Sequence, residues 1–193
     1  MKCVRKFLAT HSHCKMVQGP VPEPYYIKRL TIPLSNPNIT IVLYDAKITG
    51  VNGKVTEFSI NKKTNNLVIA AEMRDLTIYS PKAVFRYHRK MREPIVLADE
   101  LYIKYDSITT TAVIPNINHL DISKIEVSSY IENSNPPYAL GPGLIKSLGK
   151  SFNKLVSNIP EVIKEAAIFQ GPIFMINFIQ YSICDFGLKV IIP

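Results

Sequence analysis

The chain has 193 residues, 47% of them hydrophobic and 20% charged, with no tryptophan and a formal charge of +8. Such a composition excludes a disordered or low-complexity chain. It suits one larger domain, 1–193, which buries roughly 70% of its unfolded surface and has room for a cavity. The positive charge permits an acidic partner, but the basic residues are scattered. Their densest cluster is Arg86, His88, Arg89, Lys90 and Arg92, which reads as a solvated hairpin end, so no nucleic-acid partner is expected.

Residues 3–18 read as a short helix. It ends at "GPVPEP", a stretch that no helix crosses easily. The three cysteines are Cys3, Cys14 and Cys184, so at least one thiol is unpaired within the chain. Eleven residues of helix at about 1.5 Å rise would separate Cys3 and Cys14 by about 16 Å. A disulfide tolerates roughly 7 Å between Cα atoms, so these two are expected not to pair. A short basic stretch follows Met1, and no apolar segment of signal-peptide length precedes Pro20. The expectation is that a leader has been removed or that the chain is incomplete at its start. The sequon Asn38-Ile39-Thr40 makes Asn38 a glycosylation candidate in a secreted protein.

From 25 to 132 the pattern is β throughout. "YYIKRLTI" opens it and "NITIVLYDAKITGV" follows, with Val42, Tyr44, Ala46 and Ile48 on one face. Asp45, Lys47 and Thr49 share the opposite face, and the charged pair, Asp45 and Lys47, should be exposed. In the first half of that strand Ile39, Ile41 and Leu43 make the second face apolar too, so it needs cover on both sides. "GVNG" at 50–53 and "NKKTNN" at 61–66 supply turns. "LVIAAEMRDLTIY" moves its apolar residues from Leu67, Ile69, Ala71 and Met73 to Leu76 and Ile78. "IVLADELYIKY" keeps one face, interrupted by Asp99, and "HLDISKIEV" changes parity again. Parity changes suggest bulges, and bulged long ribbons describe a strongly curled antiparallel sheet.

"NPPYALGPG" at 135–143 breaks the β pattern, and the period then becomes helical over 143–187. Leu144, Leu148, Phe152, Leu155, Ile159, Val162, Ala166 and Phe169 recur three and four apart. Pro160 marks a kink or a restart, and Gly171-Pro172 reads as a second interruption. "IFMINFIQYSIC" is apolar nearly all round, but Asn177, Gln180, Asp185 and Lys189 favour a buried helix over a transmembrane one. The fold class is therefore α+β: a long curved antiparallel sheet wrapped around a long C-terminal helix.

The chemistry search returns no phosphate loop and no nucleophile elbow. His11, His13 and Cys14 lie too poorly on a helix to converge on a metal, and Asp99 and Glu100 point to opposite faces of a strand. No enzyme, cofactor or metal is expected. Two readings from different classes stand. One is a carrier enclosing an elongated apolar tunnel of roughly 300–1,000 Å³. The other is a membrane- or partner-docking interaction module with a filled core and no small-molecule ligand. The lining expected for a tunnel is Phe58, Ile60, Leu97, Leu101, Ile103, Phe152, Leu155, Val162 and Phe169. Tyr105 and Tyr130 are candidates for a polar handle, since a buried phenol needs a partner.

Several of these stretches resemble the insect juvenile-hormone-binding-protein and takeout family. Cys3 followed by "VRKFLATHSHCKMVQ", "GPVPEP" and "YYIKRLTI" is similar to the family's second N-terminal cysteine, helix and approach to the first strand. "LYDAKITGV" at 43–51 fits its strand pattern, and "VTEFSINKKTNNLVIAAEM" its next hairpin. "LIKSLGKSFNKLVSNIPEVIKEA" resembles the entry to its long helix, and the terminal "IIP" its ending. The resemblance implies a tubular lipid-binding fold and a secreted, hemolymph-type monomeric carrier of juvenile hormone or a similar terpenoid or lipid. It departs from the family where the first N-terminal cysteine lies outside this chain and where Gly171-Pro172 falls in the long helix.

Overall fold

The structure, a computed structural model, describes residues 1–34, 38–132, 137–143 and 159–188. Helix α1 (Lys2–His11) leads into a two-residue strand β1 (Lys15–Met16). Then come β2 (Tyr25–Leu34), β3 (Ile39–Thr49), β4 (Lys54–Asn61), β5 (Asn66–Arg89) and β6 (Arg92–Pro115). A 3-10 turn (Ile122–Lys124), β7 (Glu126–Ile131) and β8 (Tyr138–Leu140) precede the long helix α2 (Ile159–Ser182), and β9 (Cys184–Asp185) follows it.

The seven-stranded antiparallel sheet runs β2-β3-β5-β6-β7, with β4 added to β5 and β8 to β6. Strands β5 and β6 have 24 residues each. At about 3.3 Å per residue such a strand would span about 80 Å if straight, more than the width of a domain this size. The sheet coils instead, and α2 packs on its concave side against β7, β6 and β2.

The coiling is written in the burial. In β3 the inward residues are Ile39, Ile41 and Leu43, then Ala46 and Ile48. Asp45, at φ 49°, stands at the switch. In β5 they are Leu67, Ile69, Ala71 and Met73, then Leu76 and Ile78, and Asp75 at φ 51° stands between. β6 switches at the same level, from Leu101, Ile103 and Tyr105 to Ile108, Ala112 and Ile114. Pairing resumes from Arg74–Ser107 to Leu76–Tyr105 without a register shift, because Asp75 and Asp106 leave the ladder together. The expected change of parity is present there, but its cause is a left-handed aspartate rather than an inserted residue. True register shifts occur elsewhere, between Val55 and Glu57 and between Ser80 and Ala83. Gly50, at φ 82°, packs so closely on β5 that a Cβ would lie 2.7 Å from the Cα of Leu76. Only glycine fits there.

Two boundaries differ from expectation. The N-terminal helix ends at His11, not at 18. Ser12 is extended, its hydroxyl donating to the Leu8 carbonyl, and Cys14 is drawn into a disulfide with Cys184. β1 then pairs with β9. The C-terminal helix, in turn, is not interrupted at Gly171-Pro172. Gly171 is there because β7 comes close: a Cβ on it would overlap the Ser129 Oγ. Pro172 forgoes one backbone hydrogen bond within the helix. Pro160 lies in the first turn of α2, where proline is tolerated. The expected helical residues 144–158 lie outside the described residues.

Candidate functional site

Helix α2 touches the sheet in two distinct ways. Along its first half Val162, Ile163, Ala166 and Gln170 face Ile32, Ile41, Leu43, Phe85, Leu101, Ile103 and Leu140. The inward stripe advances by four from Val162 to Ala166, Gln170 and Phe174, so each lies above the last on one face. A small apolar cavity of about 20 Å³ lies in this seam. That is far below the tunnel expected from the sequence, which the described residues do not form. Their apolar side chains close on one another instead.

Two polar groups stand at this seam. The Tyr105 hydroxyl donates to the Ile163 carbonyl at 3.1 Å, and burial pushes its pKa well above the usual tyrosine value. Gln170 is 0% exposed, and neither its amide nitrogen nor its amide oxygen has a hydrogen-bond partner. A buried amide left so is costly, by about 1–3 kcal/mol.

Along its second half α2 is tied down. The Tyr25 hydroxyl donates to Asn177 Oδ1 at 3.2 Å, and burial, then the neighbouring Tyr181, raise the Tyr25 pKa. Gln180 Oε1 accepts from the Leu188 amide at 3.1 Å. Arg5 donates through Nε and Nη2 to the Ser182 carbonyl at 3.0 and 2.9 Å. The Cys14–Cys184 disulfide closes the arrangement. An open, half-polar groove of about 320 Å³ runs past Val17, Tyr25, Asn177, Gln180, Tyr181, Asp185 and Leu188. It is larger than the seam cavity but open to solvent, so it sequesters nothing from water.

The predicted site residues divide. Leu101, Ile103 and Val162 come together at the seam. Leu97 is half-buried against the core. Phe58 sits on β4 and packs on Phe7 of α1, with ring centroids 5.7 Å apart, away from the seam. Ile60 and Phe169 are each 38% exposed and face outward. Phe152 and Leu155 lie outside the described residues. Of the two handle candidates, Tyr130 is 68% exposed on β7, and the Tyr105 hydroxyl is already committed to the helix backbone. Gln170, overlooked in the sequence, occupies the inward position that Phe169 was expected to fill. Its signal was a glutamine four residues after Ala166 on an otherwise apolar stripe.

Elsewhere, Asn38 is exposed in the turn between β2 and β3, with φ 62°, and its side chain donates to the His88 carbonyl. The basic cluster does form a hairpin end, with Arg86, His88, Arg89, Lys90 and Arg92 all exposed around the β5–β6 turn. Cys14 is committed to its disulfide, so it cannot join His11 and His13 as a thiolate ligand. Cys3 is an exposed free thiol. The stretch 160–182 is long and apolar enough to cross a bilayer by composition alone, yet 61% of its most apolar window is buried inside the fold.

The crystal structure of Takeout 1 from Epiphyas postvittana is similar, with a TM-score of 0.58 over 83% of this chain and 79% of that one, at 15% identity. The curled sheet around a long helix is thus a takeout-like fold. No curated protein matches the sequence. The family model for Fibroin P25 matches residues 1–188, and the chain belongs to that family.

Proposed function

We propose that the protein is a secreted carrier of a small hydrophobic molecule, held between the first half of α2 and the sheet. The observation that carries this reading is the apolar seam itself. Ten apolar side chains from β2, β3, β5, β6, β8 and α2 converge on one small cavity, and the fold is one built as a sheet around a helix. At about 20 Å³ the cavity is small, so a ligand is accommodated by parting the helix from the sheet, and a terpenoid or lipid of juvenile-hormone type is the first class to try. The Cys14–Cys184 disulfide fits an oxidising, extracellular setting. The reading assigns no catalysis and needs no cofactor. Native mass spectrometry of protein taken from its source tests it. An adduct of a few hundred daltons is expected, and an unliganded chain throughout would defeat the carrier.

A second reading is favoured by the smallness of that cavity. A filled core with Ile168 and Phe169 exposed on α2 fits a module that docks on another protein. The family name carries the word fibroin, so a fibroin chain is the first partner to test. Under this reading the same spectra show the bare chain together with its complex.

A further inference from the structure

We infer that Gln170 is the polar handle of the seam, and that the molecule it holds is an elongated apolar compound with one uncharged oxygen function: an ester, a hydroxyl or a protonated acid. This inference rests on the carrier reading. Every other described residue around the cavity is apolar, so among the described residues no lining cation neutralises a carboxylate. The amide of Gln170 supplies two N–H donors and one carbonyl acceptor, and neither atom has a partner within the fold. A ligand oxygen satisfies the amide nitrogen, and a ligand hydroxyl also satisfies the amide oxygen. The side chain cannot relieve itself by turning to water, because the residue is fully buried. Tyr105 of β6, which meets α2 at Ile163 about two helical turns before Gln170, does not compete, since its hydroxyl is spent on the Ile163 carbonyl. Gln170 therefore fixes which end of a ligand lies towards the middle of the helix, while the hydrocarbon lies along Val162, Ile163 and Ala166.

The test compares methyl dodecanoate with dodecane as displacers of bound N-phenylnaphthylamine from the full chain. The wild-type protein is expected to bind the ester about tenfold more tightly than the alkane, the worth of one good hydrogen bond. In Gln170→Leu that preference disappears, while alkane affinity stays within about threefold. Gln170→Met serves as a second variant should Leu perturb the fold, and both are checked by thermal melts. A preference that survives in folded variants overturns the assignment, as does a wild-type protein that binds ester and alkane alike. A wild-type protein that binds neither defeats the carrier reading as well, so the two failures are distinct.

Discussion

The two halves of α2 lie in one fold but are held by different physics. The second half is anchored by a disulfide, by Arg5 on the helix-end carbonyl and by hydrogen bonds at Asn177 and Gln180. Among the described residues the first half, from Val162 to Gln170, lies on apolar side chains with one hydrogen bond from the sheet, that of Tyr105, and one unsatisfied amide. Directional bonds resist separation in every direction, whereas apolar contact is replaced without penalty by any apolar body of the right shape. Among the described residues, the end of the helix with fewer directional ties is thus the one beside the apolar seam.

The largest effect should come from cutting the fixed end. Cys14 and Cys184 are 170 residues apart, and closing so long a loop in the unfolded chain is worth about 5 kcal/mol by the chain-entropy argument. Cys14→Ser with Cys184→Ser is expected to lose about 2–5 kcal/mol in denaturant melts. A loss confined to a few tenths would mean the anchor is ornamental and the two halves are alike. Next in size is the sheet behind that end, where Ile48 pairs with Tyr25. Ile48→Asp buries an unpaired charge and should cost several kcal/mol, while Lys47→Asp, on the exposed face, should stay within about 0.5 kcal/mol. The reverse order would turn the strand over and remove the wall on which Tyr25 stands.

Tyr105 offers a smaller and more diagnostic test of the yielding half. Tyr105→Phe removes its single hydrogen bond and should cost about 1 kcal/mol at neutral pH. The alkaline limb carries the sign. Below pH 10.0, the ordinary tyrosine value, the phenol is neutral folded and unfolded and contributes no pH dependence. Above it the unfolded chain ionises while burial holds the folded phenol protonated, so stability falls as pH rises. Tyr25 and Tyr87 are shifted in the same direction. Tyr105→Phe should therefore flatten the decline without abolishing it, and an unchanged alkaline limb would place Tyr105 outside the core.

Much of the architecture was legible because it rests on periodicity. Alternation gave the long strands and the exposure of Asp45 and Lys47 with burial of Ala46 and Ile48, but Tyr44, expected on the face of Ala46 and Ile48, lies on the other side beside Lys82, because Asp45 turns the parity. The change of parity at Asp75 was visible, but not its mechanism, since a left-handed residue and an inserted one leave the same trace in a sequence. The helix phase failed at one residue for a related reason. A step of three and a step of four both keep an apolar run in phase, so Phe169 and Gln170 compete for the inward position, and hydrophobicity alone chooses the phenylalanine. The packing of Gly171 on Ser129 settles the rotation of the helix, and that contact joins residues 42 apart in sequence. The Cys14–Cys184 pairing was equally hidden, because only the docking of β1 on β9 brings those residues together.

The smallest expected change separates the two halves most cleanly. Asn177 and Gln170 are buried amides two helical turns apart on the same helix. Asn177 accepts from Tyr25, so Asn177→Leu leaves a phenol without its acceptor and should cost about 1–2 kcal/mol. Gln170 has no partner to lose. Replacing it by leucine, of similar volume and no polarity, removes an unmet desolvation penalty and creates no cavity. Ligand-free Gln170→Leu should therefore melt at the wild-type denaturant concentration or above it, by up to about 1 kcal/mol. Equal losses for the two variants would mean that the Gln170 amide is already satisfied within the protein. The helix would then be held alike along its length, and the first half would have no more reason to yield than the second.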